Sequence, residues 1–283
     1  MSDRNFRKML EAQWARDNFV CVGLDSDLDK IPASSRVADD HYGSVFKGQT
    51  ITAFNRAIVE ATCDLVCAYK PNVAFYRRYG NEGMGALQRT IADIHRLAPD
   101  VPVILDAKYG DIGETNEGYA EEAFGLLRAD ATTVHPYLGG ESLAPFLARA
   151  EKGIIVLCRT SNPGAREFQD LLVDGKPFYQ RVARNVVGEW NKNGNCAVVV
   201  GATYPIELRE VREIVGDMPI LIPGVGAQGG DVQMTVQAGK DSRRKGMIIN
   251  SSRGIIFAFN SEDFAQAARR ETMKLRDLIN QYR

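Results

Sequence analysis

The chain has 283 residues, 45% of them hydrophobic and 25% charged, with a formal net charge of −1. That composition is of an ordinary globule and excludes a disordered or collagen-like chain. The near-zero charge leaves no general electrostatic attraction to nucleic acid or to acidic membranes.

From the N-terminus, "MSDRNFRKMLEAQWARD" is charged throughout and lacks the apolar core of a signal peptide. No apolar run approaches the roughly eighteen residues of a membrane span. A cytoplasmic location is expected. Short apolar, β-branched runs then recur along the chain: "NFVCVGLD", "DLVCAYKPN", "VPVILDAK", "ATTVHPY", "GIIVLCRTS", "NCAVVVGAT", "PILIPGVG" and "GMIINSSRG". Between them lie helical patterns such as "TAFNRAIVEATCD", "MGALQRTIADIHRLA", "NEGYAEEAFGLLRA" and "PIELREVREIV". The amphipathic "EDFAQAARRETMKLRDLINQYR" comes last. Continuous apolar strands separated by helices predict a parallel sheet buried on both faces. Eight such units predict an α/β fold of the (β/α)8, or TIM barrel, type, as one domain over residues 1–283, with a doubly wound open sheet as the alternative. Two connections are long, "SDLDKIPASSRVADDHYGSVFKGQ" after strand one and "SNPGAREFQDLLVDGKPFYQ" after strand five. Both follow a strand's C-terminal end, where long loops tend to be functional.

The five cysteines have no metal-site spacing and the three histidines are scattered. Buried free thiols in a reducing compartment, and no metal site, are expected.

In this fold the site sits at the C-terminal strand ends, so the residues that close each apolar run matter most. Strand one closes on Asp25, strand two on Lys70, strand three on Asp106 and Lys108. Three consecutive strands can bring these four to one mouth. Asp106 and Lys108, two apart, share a strand face. Asp111 lies in the following loop. Charges at a buried strand end are costly unless paired, and the alternating signs supply the pairing. For Asp106 and Lys108 alone, a structural salt bridge and a catalytic pair are equally open; Lys70 on the adjacent strand tilts the reading to catalysis. Asp25 reads either as a turn cap in "LDSDLD" or as a ligand-binding group.

"PGVGAQGGD", residues 223–231, matches G-x-G-x-x-G through Gly224, Gly226 and Gly229. A dinucleotide fold would want an acidic residue at the end of the next strand, and "GMIINSSRG" supplies none. Loops after strands seven and eight of a barrel are instead its usual phosphate site. Glycine N–H groups, the start of the next helix, an amide from Gln228 and the fork of Arg253 suit that task.

Together these residues resemble a family. "DAKYGDIGET" follows the D-x-K-x-x-D-I-x-x-T signature of orotidine 5′-monophosphate decarboxylases, and "VGLD", "YKPN", "RTSNPGA", "PGVGAQGGD" and "SSRGI" appear in the order of its longer bacterial branch. Tyr109 and Glu114 depart from that branch, which often carries Arg and a small or amide residue there. The resemblance implies a homodimer that converts orotidine monophosphate to uridine monophosphate (UMP) and carbon dioxide in pyrimidine biosynthesis, with no metal or organic cofactor. It implies that Lys70, Asp106, Lys108 and Asp111 form a charged array in which Lys108 protonates C6. It further implies that Asp25, Lys70 and Thr115 hold the ribose, Ser161 reads the pyrimidine, and Gln228 and Arg253 grip the phosphate. Asp111 and Thr115 would reach into the partner's site. Magnesium-dependent sugar-phosphate decarboxylases and synthases share D-x-K-x-x-D and remain an alternative, as does a non-catalytic nucleotide-binding barrel.

Overall fold

The computed structural model describes residues 4–39, 44–225, 229–259 and 262–283. All eight apolar runs form strands: β1 (Val20–Gly23), β2 (Val66–Lys70), β3 (Ile104–Tyr109), β4 (Ala131–Val134), β5 (Gly153–Arg159), β6 (Cys196–Val200), β7 (Ile220–Pro223) and β8 (Met247–Ser251). They lie parallel in the order β2-β1-β8-β7-β6-β5-β4-β3. Two parallel bridges, Tyr69 with Val103 and Asn72 with Asp106, join the outer strands β2 and β3. The amides of Tyr69 and Asp106 donate to the carbonyls of Pro102 and Pro71 at 3.1 and 2.9 Å. The ring is thereby closed and the open-sheet alternative falls: this is a (β/α)8 barrel.

The longer helices are α1 (Phe6–Trp14), α2 (Lys47–Thr62), α3 (Gly80–Leu97), α4 (Gly113–Ala120), α5 (Phe178–Asn185), α6 (Pro205–Val215), α7 (Val232–Gly239) and α8 (Phe264–Tyr282), with four single-turn helices besides in the described residues, among them Val73–Arg77 after β2. The pattern "NEGYAEEAFGLLRA" continues past α4 as a π-helical turn over Glu121–Leu126. Helix α1, in the N-terminal segment that is charged throughout, buries one face through Phe6, Leu10 and Trp14, which stand four apart. It covers the N-terminal end of the barrel: the Trp14 indole donates to the Met247 carbonyl at 2.9 Å. Just ahead of α1, Arg4 grips the fully buried Asp130 with two hydrogen bonds of 2.8 and 2.7 Å. One end of the barrel is thus stoppered, which leaves the C-terminal strand ends as its mouth.

The long loop after β1 holds two single 3-10 turns, Leu28–Lys30 and Ala33–Ser35. The loop after β5 holds a 3-10 turn at Pro163–Glu167 and a hairpin pairing Leu172–Val173 with Lys176–Pro177. Asp174 and Gly175, both at positive φ, make the hairpin's turn. Cys21, Cys67, Cys158 and Cys196 are buried and free; Cys63, after α2, is only part-buried.

Candidate active site

The barrel mouth encloses a cavity of about 470 Å³, lined among others by Asp25, Lys70, Asp106, Lys108, Ser161 and Arg253. The structure therefore gathers six of the residues expected from sequence, drawn from five of the eight strand ends.

Asp106 is the hub. Its Oδ2 accepts from Lys70 Nζ at 3.0 Å and from Asn72 Nδ2 at 3.4 Å. Its Oδ1 accepts from Lys108 Nζ at 2.6 Å and from Thr133 Oγ1 at 3.0 Å. Burial alone would raise the Asp106 carboxyl, but the two ammonium groups outweigh it and hold the group well below the usual carboxylate range. Lys70, 4% exposed, is pulled down by burial and pushed further up by Asp106 and Asp25, so it stays charged. Beneath them, burial pushes the Cys21 thiol up to about 12, which leaves it inert.

The local course of β3 differs from simple alternation. The β3–β4 register runs Ile104–Ala131, Leu105–Thr132, then Tyr109–Val134, so four steps along β3 face two along β4. Within this bulge Lys108 has φ +54°, the left-handed region that a lysine rarely takes. Such a conformation costs about 1–2 kcal/mol. Lys108 and Asp106 do meet, but through a bulged strand rather than by sharing the face of a regular one. Tyr109, the departure from the family pattern, ends the bulge. Its hydroxyl donates to Glu122 Oε2 at 2.6 Å, Arg77 meets the other oxygen of Glu122 at 3.2 Å, and its ring stacks on Tyr119. Glu114, the other departure, is exposed on α4.

Asp25 lines the cavity and its Oδ1 is buried without a hydrogen-bond partner among the described residues. The turn-cap reading of Asp25 finds no support there: an unpaired acceptor at a cavity wall wants a donor from a ligand. Asn250 of β8 offers a second such acceptor, its Oδ1.

The loop after β5 is held over the mouth by the buried Arg159. Its Nε makes an ion-pair contact of 2.9 Å with Asp170, its Nη1 donates to the Thr160 carbonyl at 2.8 Å, and its guanidinium lies over the Tyr204 ring. Ser161 backs directly on Gly201, where a Cβ would come within 3.0 Å of the Ser161 backbone amide. Any larger residue at the end of β6 would push Ser161 away.

At β7 and β8, opposite β3 and β4 in the ring, Gly224 and Gly229 have φ of +98° and +86°, as a glycine-rich turn requires. Arg253 follows β8 and has no ion pair among the described residues. At the start of α7, Asp231 is the cap and accepts from the Met234 amide at 2.7 Å, so one amide of the first turn is already engaged. Gln228 lies outside the described residues, so its expected part in an anion site finds no geometry here.

Asp111 and Thr115 are not part of this cavity in their own chain. The Asn116 side chain accepts from the Asp111 amide at 2.9 Å and donates to its carbonyl at 2.6 Å, fixing the loop. Ile112, 59% exposed, and the exposed Thr115 project from it. Sequence reasoning missed Asn72, Thr133, Gln169 and Asn250, all of which line the cavity. A polar residue at an inward position of a buried strand, such as Thr133 in "ATTVH", was the available signal. No group of three or more His, Cys, Asp or Glu is arranged to hold a metal ion among the described residues.

Comparison with known proteins gives the family. Residues 19–270 match the profile of the orotidine 5′-phosphate decarboxylase / HUMPS family. The chain belongs to that family. It is 52% identical over 279 residues to the orotidine 5′-phosphate decarboxylase of Ralstonia pickettii, covering 98% of this chain and 99% of that one. The solved structure of Leishmania donovani OMP decarboxylase superposes with a TM-score of 0.81 at 34% identity, over 98% of this chain and 99% of the other. Leishmania donovani UMP synthase gives 0.84 at 35% identity; 97% of this chain matches, spanning only 56% of that longer one.

Proposed function

We propose that this family member is an orotidine 5′-monophosphate decarboxylase, a carboxy-lyase that releases carbon dioxide and leaves UMP, the last step of new pyrimidine nucleotide synthesis. The observation that carries the reading is the Lys70–Asp106–Lys108 array at the cavity wall. Loss of carbon dioxide from C6 leaves negative charge on carbon. Lys108 is the cation placed where that charge develops and the donor of the proton that replaces the carboxylate. Its ammonium is half-exposed toward the cavity and free to follow the reacting carbon, whereas Lys70, also on the cavity lining, is 4% exposed and held in place by Asp106. Asp106 accepts a hydrogen bond from each lysine and crowds the substrate carboxylate, a repulsion that vanishes as neutral carbon dioxide leaves.

Asp25 and Lys70 hold the ribose hydroxyls; the unpaired Asp25 oxygen suits a hydroxyl donor. Ser161, seated on Gly201, reads the pyrimidine edge. Arg253, with Gln228, takes the phosphate across the ring from the reacting carbon. Remote phosphate binding then contributes to closing the β5 loop over the site.

Chemistry without metal or organic cofactor is part of the proposal. Each Asp106 oxygen already accepts two donors. A carboxylate has about four lone-pair sites, so none is left for a magnesium ion of the kind sugar-phosphate decarboxylases use. The chain acts as one barrel domain, paired as a homodimer. Supporting the dimer, Asp111 and Thr115 belong to the family signature yet lie outside their own cavity. Beside them the apolar Ile112, Tyr137 and Leu138 are exposed on the neighbouring β3 and β4 loops. A nucleotide substrate makes the cytoplasm its place of work. Incubation with orotidine monophosphate and excess chelator tests the reaction and its independence of metal: the substrate absorbance should decline with release of carbon dioxide. A reaction that needs added magnesium, or none at all, overturns the proposal.

A further inference from the structure

We propose that Thr133 is the positioning residue that sets Lys108 for proton delivery, an inference that rests on the decarboxylase reading above. The β3–β4 ladder pairs Thr132 with Leu105 and Val134 with Tyr109, and passes over Thr133. The bulged backbone of β3 therefore loses a partner at this level. The Thr133 side chain takes its place. Its Oγ1 accepts from the Lys108 amide at 3.0 Å and donates its single proton to Asp106 Oδ1 at 3.0 Å. That same Oδ1 accepts from Lys108 Nζ at 2.6 Å.

The hydroxyl thus fixes both ends of Lys108: the main chain at φ +54°, and the carboxylate oxygen on which the ammonium rests. Thr133 is buried, and among the described residues its hydroxyl makes no hydrogen bond besides these two. Flanking contacts confine the bulge to this spot. Thr132 Oγ1 donates to the Leu105 carbonyl at 3.0 Å before it, and the His135 amide donates to the Tyr109 carbonyl at 2.9 Å after it. A lysine in the left-handed region persists only when its surroundings over-determine it. Without the Thr133 hydroxyl, the Lys108 amide has no acceptor in place and Asp106 Oδ1 loses a donor. Thr133 lines the cavity wall, but its hydroxyl is taken up by the Lys108 amide and Asp106 Oδ1, so it acts through them as a positioning residue.

The test compares Thr133→Val, which keeps the shape and removes the hydroxyl, with Thr133→Ser, which keeps the hydroxyl and removes a methyl. Turnover is expressed per UMP-binding site, measured by calorimetry, so that a misfolded fraction does not count. Crystal structures of the unliganded variants are determined alongside. The expected result is that Thr133→Val lowers kcat about ten- to a hundredfold, the size of one hydrogen bond to a charged group, with KM within threefold. Thr133→Ser should restore kcat to within threefold of the wild type. In the Thr133→Val crystal, Lys108 should leave its left-handed conformation or its Nζ should leave Asp106. Unchanged Lys108 geometry in Thr133→Val overturns the proposal, as does a kcat loss equal in the Ser and Val variants. A wild-type protein that fails to decarboxylate sinks the decarboxylase reading alone, since the crystals still decide whether Thr133 positions Lys108.

Discussion

Lys70 Nζ lies 3.0 Å from Asp106 Oδ2, and both side chains are nearly closed off from solvent. The pair is a stability element as well as a chemical one. Asp106 is lowered, so its contribution is present above the ordinary carboxylate range and is lost only as pH falls through its depressed value. Lys70 is raised, so its contribution is full below the ordinary lysine value and is lost as pH rises beyond it. The Lys70–Asp106 pair should therefore be insensitive to pH from about 4 to about 10. Asp106→Asn breaks a buried pair and should cost about 3–5 kcal/mol at pH 7. In that variant burial pulls Lys70 down with only Asp25 to oppose it, so the deficit should shrink as pH rises toward the ordinary lysine value near 10. Denaturant midpoints of both proteins at pH 7 and pH 9.5 check this. Equal midpoints at pH 7 would show that the pair is not the buried unit described.

Lys108→Ala should behave oppositely. Its side chain is 48% exposed, and Asp106 keeps Lys70 when it goes. Stability should change by no more than about 1 kcal/mol. Turnover should fall by at least ~10²–10⁴, the range of general acid catalysis, while UMP binding persists. Steady-state kinetics beside a thermal melt separates the two effects, and substantial activity without added amine removes Lys108 as the proton donor.

The eight strands and the charges at their ends were legible because burial on both faces writes a strand as an unbroken apolar run. Lys70, Asp106 and Lys108 then stand out as charges that need a reason. The bulge at Lys108 was not legible: nothing in "DAKYG" distinguishes a regular strand from one with a lysine at φ +54°, since the cause lies on β4, in Thr133. Asn72 was hidden for a similar reason. It caps the helix Val73–Arg77 through its Oδ1 and turns its Nδ2 to Asp106, two tasks that appear only when β2 and β3 are side by side. The N-terminal helix was writable from the four-residue spacing of Phe6, Leu10 and Trp14; what the sequence could not show is that this face closes the barrel floor, which depends on contacts such as Trp14 with Met247.

Arg253→Ala should weaken binding of UMP far more than of uridine. A charge-assisted hydrogen bond is worth about 1.5–3 kcal/mol, so the nucleotide should lose roughly ten- to a hundredfold in affinity. Calorimetric titration of both ligands reads the difference. Equal weakening of the two would mean that Arg253 does not meet the phosphate.

Asp111 offers the most demanding test, because it sits outside its own chain's cavity while the signature makes it part of a site. Its loop is stiff: Asn116 binds both its amide and its carbonyl, and the same Nδ2 donates to the Ser142 carbonyl at 2.6 Å. In the proposed homodimer, this loop with its exposed Ile112 beside Asp111 would be received by the second copy. Each site would then be composite. Mixing an Asp111→Ala chain with a Lys70→Ala chain, each nearly inactive alone, gives mixed dimers in which one site has both defects and the other neither. With full exchange and equal dimer stability, half the dimers are mixed and each holds one intact site. Activity should therefore recover to about a quarter of wild type, as two-fold symmetry requires. Native mass spectrometry establishes that exchange has occurred. If mixed dimers form and activity stays flat, Asp111 serves its own chain, and the loop must then move inward to reach the array.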